Sequence, residues 1–335
     1  MKSIYNIVAL GIVGFMCMSP APFLGNSEKK APIQTEKSTR SNQIVKILFK
    51  NDTECRKLIK DKQLYEQGWD SLAHPRFWGE ILTLEPEYSL ISASDNREIL
   101  GIIGTKCYDR RSSSGQKYFK DSTKAALGLE YHRNILVTNG KKDFYLIQET
   151  IPNISRAIDV FMAEGVDPWY AQAILMIESP GMNRTSNVGA SGAFQLMPDV
   201  AREGGLIVNA QVDERSNFRK SAQVAAQLLR RVYIAKTRNL LNNKGIAFSE
   251  GDLWFKLMVL HAYHGGPGNV AAVVNQIAPQ VGGPWLVQRM WVTSCGGFQN
   301  ACQNYSQLAL AAMMELDRII ARESSDVCEI EEVEF

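Results

Sequence analysis

Apolar residues recur at helical spacing through the second half of the chain, in SRAIDVFMAEGV, DPWYAQAILMIES, SAQVAAQLLRRVYIAK, DLWFKLMVLHAY, GNVAAVVNQI and NYSQLALAAMMELDRII. Gly and Pro punctuate these segments, and the pattern predicts an all-α domain over residues 149–325. Residues 43–148 are mixed: QIVKILFK is helix-like, a Trp- and Pro-containing segment follows, and NILVTNGKKDFYLI carries the turn signal Asn139-Gly140. A small α/β or mostly helical accessory region is expected there. Residues 25–42 are rich in Lys, Ser, Glu and Pro without apolar periodicity and read as a flexible linker. The acidic DVCEIEEVEF, over 326–335, reads as a solvated tail. The fold class is therefore mainly α, with no internal repeat.

The first 24 residues add a compartment. Lys2, an apolar run from Ile4 to Met18, and a Pro- and small-residue region form an export signal. That run falls short of the roughly 20 residues that span a bilayer, although retention as an anchor would associate the protein with a membrane. Cys17 lacks the preceding small residue that a lipoprotein peptidase expects. Lys and Arg total 37 against 35 Asp and Glu, so charge gives no footprint for nucleic acid. Export permits disulfides, and Cys295 and Cys302, flanking a Gly-Gly turn, are expected to pair, leaving Cys55, Cys107 and Cys328 over. No CxxC occurs, and His261 and His264 have no third ligand nearby, so neither metal nor cofactor is expected.

Candidate chemistry concentrates in residues 167–200. Asp167-Pro168 starts a helix, Pro180-Gly181 stops it, and every residue between Gln172 and Glu178 is apolar. A helix buried nearly all round thus delivers one acid into or beside a core. Desolvation and the negative helix end both disfavour the charged carboxylate, as general acid catalysis of glycosidic cleavage requires.

Three segments in register carry a resemblance. Glu178-Ser179, GASGAFQLMP over 189–198 and AYHGGPGNV over 262–270 resemble the lytic transglycosylase (SLT) domain, whose fold is goose-type-lysozyme-like. VDER, at 212–215, looks most like the branch of membrane-bound lytic transglycosylase D. Over residues 150–325, the resemblance implies Glu178 as the sole catalytic acid, with Ser179 beside it orienting the carboxyl or the substrate's acetamido group. It implies that Gln195 and the backbone around Met197 hold the sugar chain, and that the Tyr263 hydroxyl lies near the carboxyl. Tyr305, of the pair Asn304-Tyr305, would line the same groove, and Gly189 and Gly192 would let the loop pass close to a sugar ring. His264 stands where the family has Asn, so a hydrogen bond to substrate would pass to an imidazole.

The implied activity is cleavage of the MurNAc–GlcNAc β-1,4 bond of peptidoglycan with formation of 1,6-anhydro-MurNAc. Glutamate would be acid first and base second, because the substrate's own 6-hydroxyl replaces the second carboxylate that most glycosidases need. Two alternatives stay open: a lysozyme-type hydrolase using a positioned water, and a non-catalytic murein-binding or scaffold protein.

Overall fold

The computed structural model describes residues 42–178, 185–186 and 188–333. The export signal, nearly all of the linker, Cys17 and Ser179 lie outside the described residues. Among the described residues no helix is long and apolar enough to cross a membrane.

The described residues begin with strands β1 (Asn42–Phe49) and β2 (Arg56–Lys60), then helices α1 (Gln63–Glu66) and α2 (Ala73–Thr83). A second sheet is built from β3 (Tyr88–Ala93), β4 (Ile99–Gly104) and β5 (Ile135–Asn139), with α3 (Thr105–Asp109) and α4 (Ser113–Ala126) between the last two. Helices then dominate: α5 (Ile147–Ala163), α6 (Trp169–Glu178), α7 (Pro198–Glu203), α8 (Phe218–Leu228) and α9 (Ala235–Asn243). They continue as α10 (Leu253–Gly265), α11 (Pro267–Ile277), α12 (Pro284–Val292) and the long α13 (Ala301–Glu323), and β6 (Ser324–Val333) ends the described chain.

Both sheets are antiparallel, in the orders β2-β1-β6 and β4-β3-β5. QIVKILFK, expected to be helix-like, is the centre of the first sheet. Ile47 and Phe49 alternate inward with partly covered neighbours, and the flanking strands supply the ladder that this β-branched segment prefers. The acidic end, over its described residues, is likewise a strand, though a largely exposed one. Its glutamates find partners in β1: Lys46 is paired with Glu329 and, at 2.9 Å, with Glu331.

The accessory residues do not form a core of their own. Ile44, Leu58, Trp69, Phe77 and Ile81 are buried in one continuous cluster with Ile154, Phe161, Ile174 and Leu310. Helix α13 packs on α2, α6 and α10 together and joins the two halves.

Polar contacts within this core fix α6. Lys256, 1% exposed on α10, lies 2.6 Å from the Asp167 carboxylate. Asn42 of β1 donates to both oxygens of Asp167 (3.0 and 2.9 Å), and Asp167 accepts the Trp169 N–H at 2.9 Å, the N-cap role expected of it. Gln172, fully buried, both donates to and accepts from the Ile59 backbone (2.9 and 2.8 Å), completing the outer edge of β2 as another strand would.

The disulfide is Cys55–Cys328, and Cys295 and Cys302 are both thiols, contrary to expectation. Pairing of β1 with β6 brings Cys55 and Cys328 together across 273 residues, a proximity that spacing does not encode. In the Cys295–Phe298 turn, the fully buried Phe298 occupies the interior, while Cys302 packs against Gly265.

Two stability predictions follow. Closing so long a loop stabilises by about 5 kcal/mol in the chain-entropy picture, so Cys55→Ser or a reductant should lower the melting temperature markedly; an unchanged melt would show that the link carries no stability. Lys256→Met leaves a buried carboxylate unpaired and should cost about 3–5 kcal/mol in denaturant unfolding, a loss below 1 kcal/mol being inconsistent with the pair as described.

Candidate functional site

All residues of α6 from Trp169 to Ile177 are buried, so the helix meets solvent only at its last residue. That residue is Glu178, whose side chain is 19% exposed. It faces a cavity of about 620 Å³ whose described lining includes Gln195, His264, Asn304 and Tyr305 together with the aromatic residues Trp78, Phe144 and Tyr145. Glu178 is the one carboxylate among the described lining residues, and residues 179–184 and 187 contain no Asp or Glu.

The other acids near the motif are engaged elsewhere. Asp167 pairs with Lys256, Asp199 with Arg202 and Asp213 with Arg215, while Glu164 accepts from Gln227.

The hydroxyl that reaches the carboxyl belongs to Tyr305, which donates to Glu178 Oε1 at 2.8 Å. Burial, reinforced by the Glu178 charge, holds the Tyr305 phenol well above its ordinary range, so it remains a donor. The His264 ring stacks on that of Tyr305 with centroids 4.5 Å apart and planes at 18°, and its Nδ1 lies 3.8 Å from Glu178 Oε1.

Tyr263 is also near the acid: burial, reinforced by the Glu178 charge, holds its phenol well above the ordinary range. Its hydroxyl donates to the Phe194 carbonyl at 2.6 Å and its ring packs edge-on to Tyr233. Because its helix turns the phenol toward the loop backbone, it anchors the loop behind the site. Met197 is also outside the cavity lining; it precedes Pro198 in extended conformation and is 41% exposed. The structure therefore brings Glu178, Gln195, His264 and Tyr305 together, and places Tyr263 and Met197 around them.

The loop bearing Gln195 is braced from below. Ser191 and Leu196 exchange backbone hydrogen bonds of 3.1 Å, closing a tight turn in which Gly192 has φ +80° and Gln195 φ +47°. Gln195 donates to the Gly192 carbonyl at 3.0 Å. Buried Arg215 donates to the carbonyls of Gly189 (2.7 Å) and Leu196 (2.9 Å), and Asp213 grips its guanidinium from the other side at 2.9 and 2.6 Å. VDER is thus the brace of this loop. A Cβ at Gly192 would lie 2.1 Å from the Arg215 carbonyl, so the brace itself requires this glycine.

The amino end of α13, which carries Tyr305, is held by a chain of three hydrogen bonds whose direction is set by chemistry. Trp291 Nε1 can only donate, and does so to Ser306 Oγ at 2.7 Å; the Cys302 carbonyl can only accept, and takes His261 Nδ1–H at 2.7 Å. Ser306 must then donate to His261 Nε2, 2.8 Å away. Burial holds this imidazole neutral, with a pKa lowered to about 3. His261 and His264, three residues apart on one helix, thus serve the core and the cavity respectively.

Sequence reasoning missed Trp78, Phe144 and Tyr145, which line the cavity from segments far from Glu178 in the chain. Aromatic content alone marked those segments, and no spacing tied them to the acid.

Residues 159–279 match the family model of the Transglycosylase SLT domain. Proteins of that family are lytic transglycosylases with a lysozyme-like fold that act on peptidoglycan, and the match supports enzymatic activity and an envelope location. It contains Glu178, Gln195 and His264, while Tyr305 and the aromatic wall lie outside the matched residues. No curated protein matches the chain.

The neutral His261 makes the fold sensitive to acid. The unfolded chain binds a proton as pH falls through about 6.5, whereas the folded imidazole resists until about 3, so stability is lost over that window. The slope from this group rises from about 0.7 kcal/mol per pH unit at pH 6.5 toward about 1.4 by pH 5. His261→Gln, melted across the same range, should show a correspondingly shallower slope; a slope identical to that of the wild type would contradict the assignment.

Proposed function

We propose that the protein is an exported lytic murein transglycosylase that cleaves the MurNAc–GlcNAc β-1,4 bond and leaves 1,6-anhydro-MurNAc ends. The observation that carries this reading is the lone carboxylate of the cavity. A two-carboxylate glycosidase needs a second acid at roughly 5–9.5 Å, and Glu178 has no such neighbour among the described lining residues. The substrate's own 6-hydroxyl is the nucleophile in the reading proposed here.

In the proposed sequence, protonated Glu178 gives its proton to the glycosidic oxygen as the bond to MurNAc C1 breaks, and the GlcNAc 4-hydroxyl departs. The sugar left behind is oxocarbenium-like. Glu178, now a carboxylate, removes the proton from the MurNAc 6-hydroxyl, whose oxygen bonds to C1; no water is consumed. Tyr305 donates to Oε1 and so holds the carboxyl in one orientation through both steps. His264, stacked on Tyr305, limits the tyrosine's own freedom and stands within reach of a sugar substituent. Gln195 and Asn304 offer amides to hydroxyl and acetamido groups, and Trp78, Phe144 and Tyr145 offer apolar faces to the sugar rings. Ser179 is proposed, from the resemblance alone, to orient the carboxyl or the acetamido group, and Met197 to contribute backbone to the sugar chain.

Mass analysis of products from purified murein tests the reading. Anhydro-muropeptides are expected; reducing ends would identify a hydrolase, and binding without products would identify a silent murein-binding protein. Glu178→Gln should lower turnover by at least about a thousandfold, and Tyr305→Phe by about tenfold with KM nearly unchanged. Full activity in Glu178→Gln would overturn the site.

A further inference from the structure

We infer that Arg97 is a specificity determinant whose guanidinium, together with the Asn304 carboxamide, receives a carboxylate on the stem peptide of the glycan strand. This inference rests on the murein-cleaving reading of Glu178.

Arg97 occupies the turn between β3 and β4, in the accessory segment outside the family match. Its φ is +60°, a left-handed conformation that Gly or Asn adopts at lower cost, and its N–H donates to the Ala93 carbonyl at 3.0 Å. A long cationic side chain at such a position is directed by the turn and not by helix or strand periodicity.

The side chain is half-buried over the Phe77 ring, with Cζ 5.1 Å from the centroid. Nη2 donates to Asn304 Oδ1 at 3.1 Å, the one side-chain hydrogen bond that Arg97 makes among the described residues. A guanidinium carries five N–H donors, so most of its capacity is unused. The acids on either side of it in the turn are committed elsewhere: Arg133 takes Asp95 at 3.0 Å and Glu98 at 3.4 Å. A partly desolvated cation with no anion is unfavourable, and the arrangement keeps it so by sequestering the nearest carboxylates.

Asn304 connects this cation to the cavity, which it lines beside Tyr305. Because Arg97 can only donate, Asn304 must present its oxygen to Arg97, and its NH₂ becomes a second donor next to the guanidinium. Two adjacent donors carrying one positive charge select an acceptor that is negative and bidentate. The sugars of a murein strand are neutral at their ring hydroxyls and acetamido groups, whereas its stem peptides carry carboxylates. The accessory segment therefore reads the peptide while the helical part acts on the sugar.

The test uses the Glu178→Gln chain, which leaves the strand uncut, and two probes: soluble murein oligomers bearing native stem peptides, and the same oligomers with carboxyls converted to methylamides. Native oligomers are expected to bind about tenfold more tightly than methylamides. Adding Arg97→Gln should abolish that difference by weakening the native complex alone, and Arg97→Lys should retain part of it. Equal binding of the two probes with Arg97 in place overturns the inference and leaves the murein-cleaving reading intact. Equal weakening of both probes by Arg97→Gln also overturns it, since that is the result of a merely structural role. Failure of both probes to bind overturns both readings.

Discussion

The buried ion pair between Lys256 and Asp167 is the contact on which the position of the acid depends. Burial of two charges is favourable only when their remaining hydrogen-bonding capacity is met, and Asn42 and the Trp169 N–H meet it for Asp167. Burial also pushes the neighbouring Asp61 carboxyl above its ordinary range despite the nearby Lys256. Its members come from β1, the entry to α6, and α10, so helix α6 starts at a point defined by three parts of the chain. Gln172 fixes its middle to β2 and Tyr305 its end to α13. A helix anchored at start, middle and end is a rigid support for a carboxyl that must transfer a proton in two directions.

What could be read in the sequence was what is local. The apolar run of α6, the acid at its end, Gln195 in a Gly-rich turn and His264 after Tyr263 lie within short segments whose spacing is set by helix and turn geometry. What could not be read depends on distant contacts. QIVKILFK has helix-like spacing, but its β-branched residues become a strand once β2 and β6 flank it. The disulfide follows from that same pairing, so misreading β1 entails misreading the cysteines. Which phenol donates to Glu178 depends on how α13 docks on α10, and no motif records a docking angle. The aromatic wall was invisible because Trp78, Phe144 and Tyr145 are brought to the cavity by the core shared between the two halves.

Glycine-rich loops are often taken to be pliable, and here the chemistry of the surroundings argues otherwise. Gly192 is needed because the Arg215 carbonyl lies where a side chain would stand, and the Arg215 guanidinium then ties Gly189 to Leu196. Asp213 supplies the charge that keeps the guanidinium in place; its own carboxyl is held below the usual range by Arg215. The loop's carbonyls are consumed by the brace and by Tyr263, which leaves the side chains of Gln195, Thr185 and Ser186 to face the cavity. Preorganisation of this kind lowers the ordering cost of holding a polymeric ligand.

The pairing of β1 with β6 also dictates an order of events. The first described strand finds its second neighbour only in residues 324–333, so a chain emerging from a ribosome keeps one edge of that sheet open until those residues have arrived. Tyr305 sits on the helix that leads directly into β6, so Glu178 meets its hydrogen-bond donor at the same late stage. Closure of the sheet and completion of the acid's environment are therefore one event, and a chain still in transit carries the glutamate without the setting that orients it.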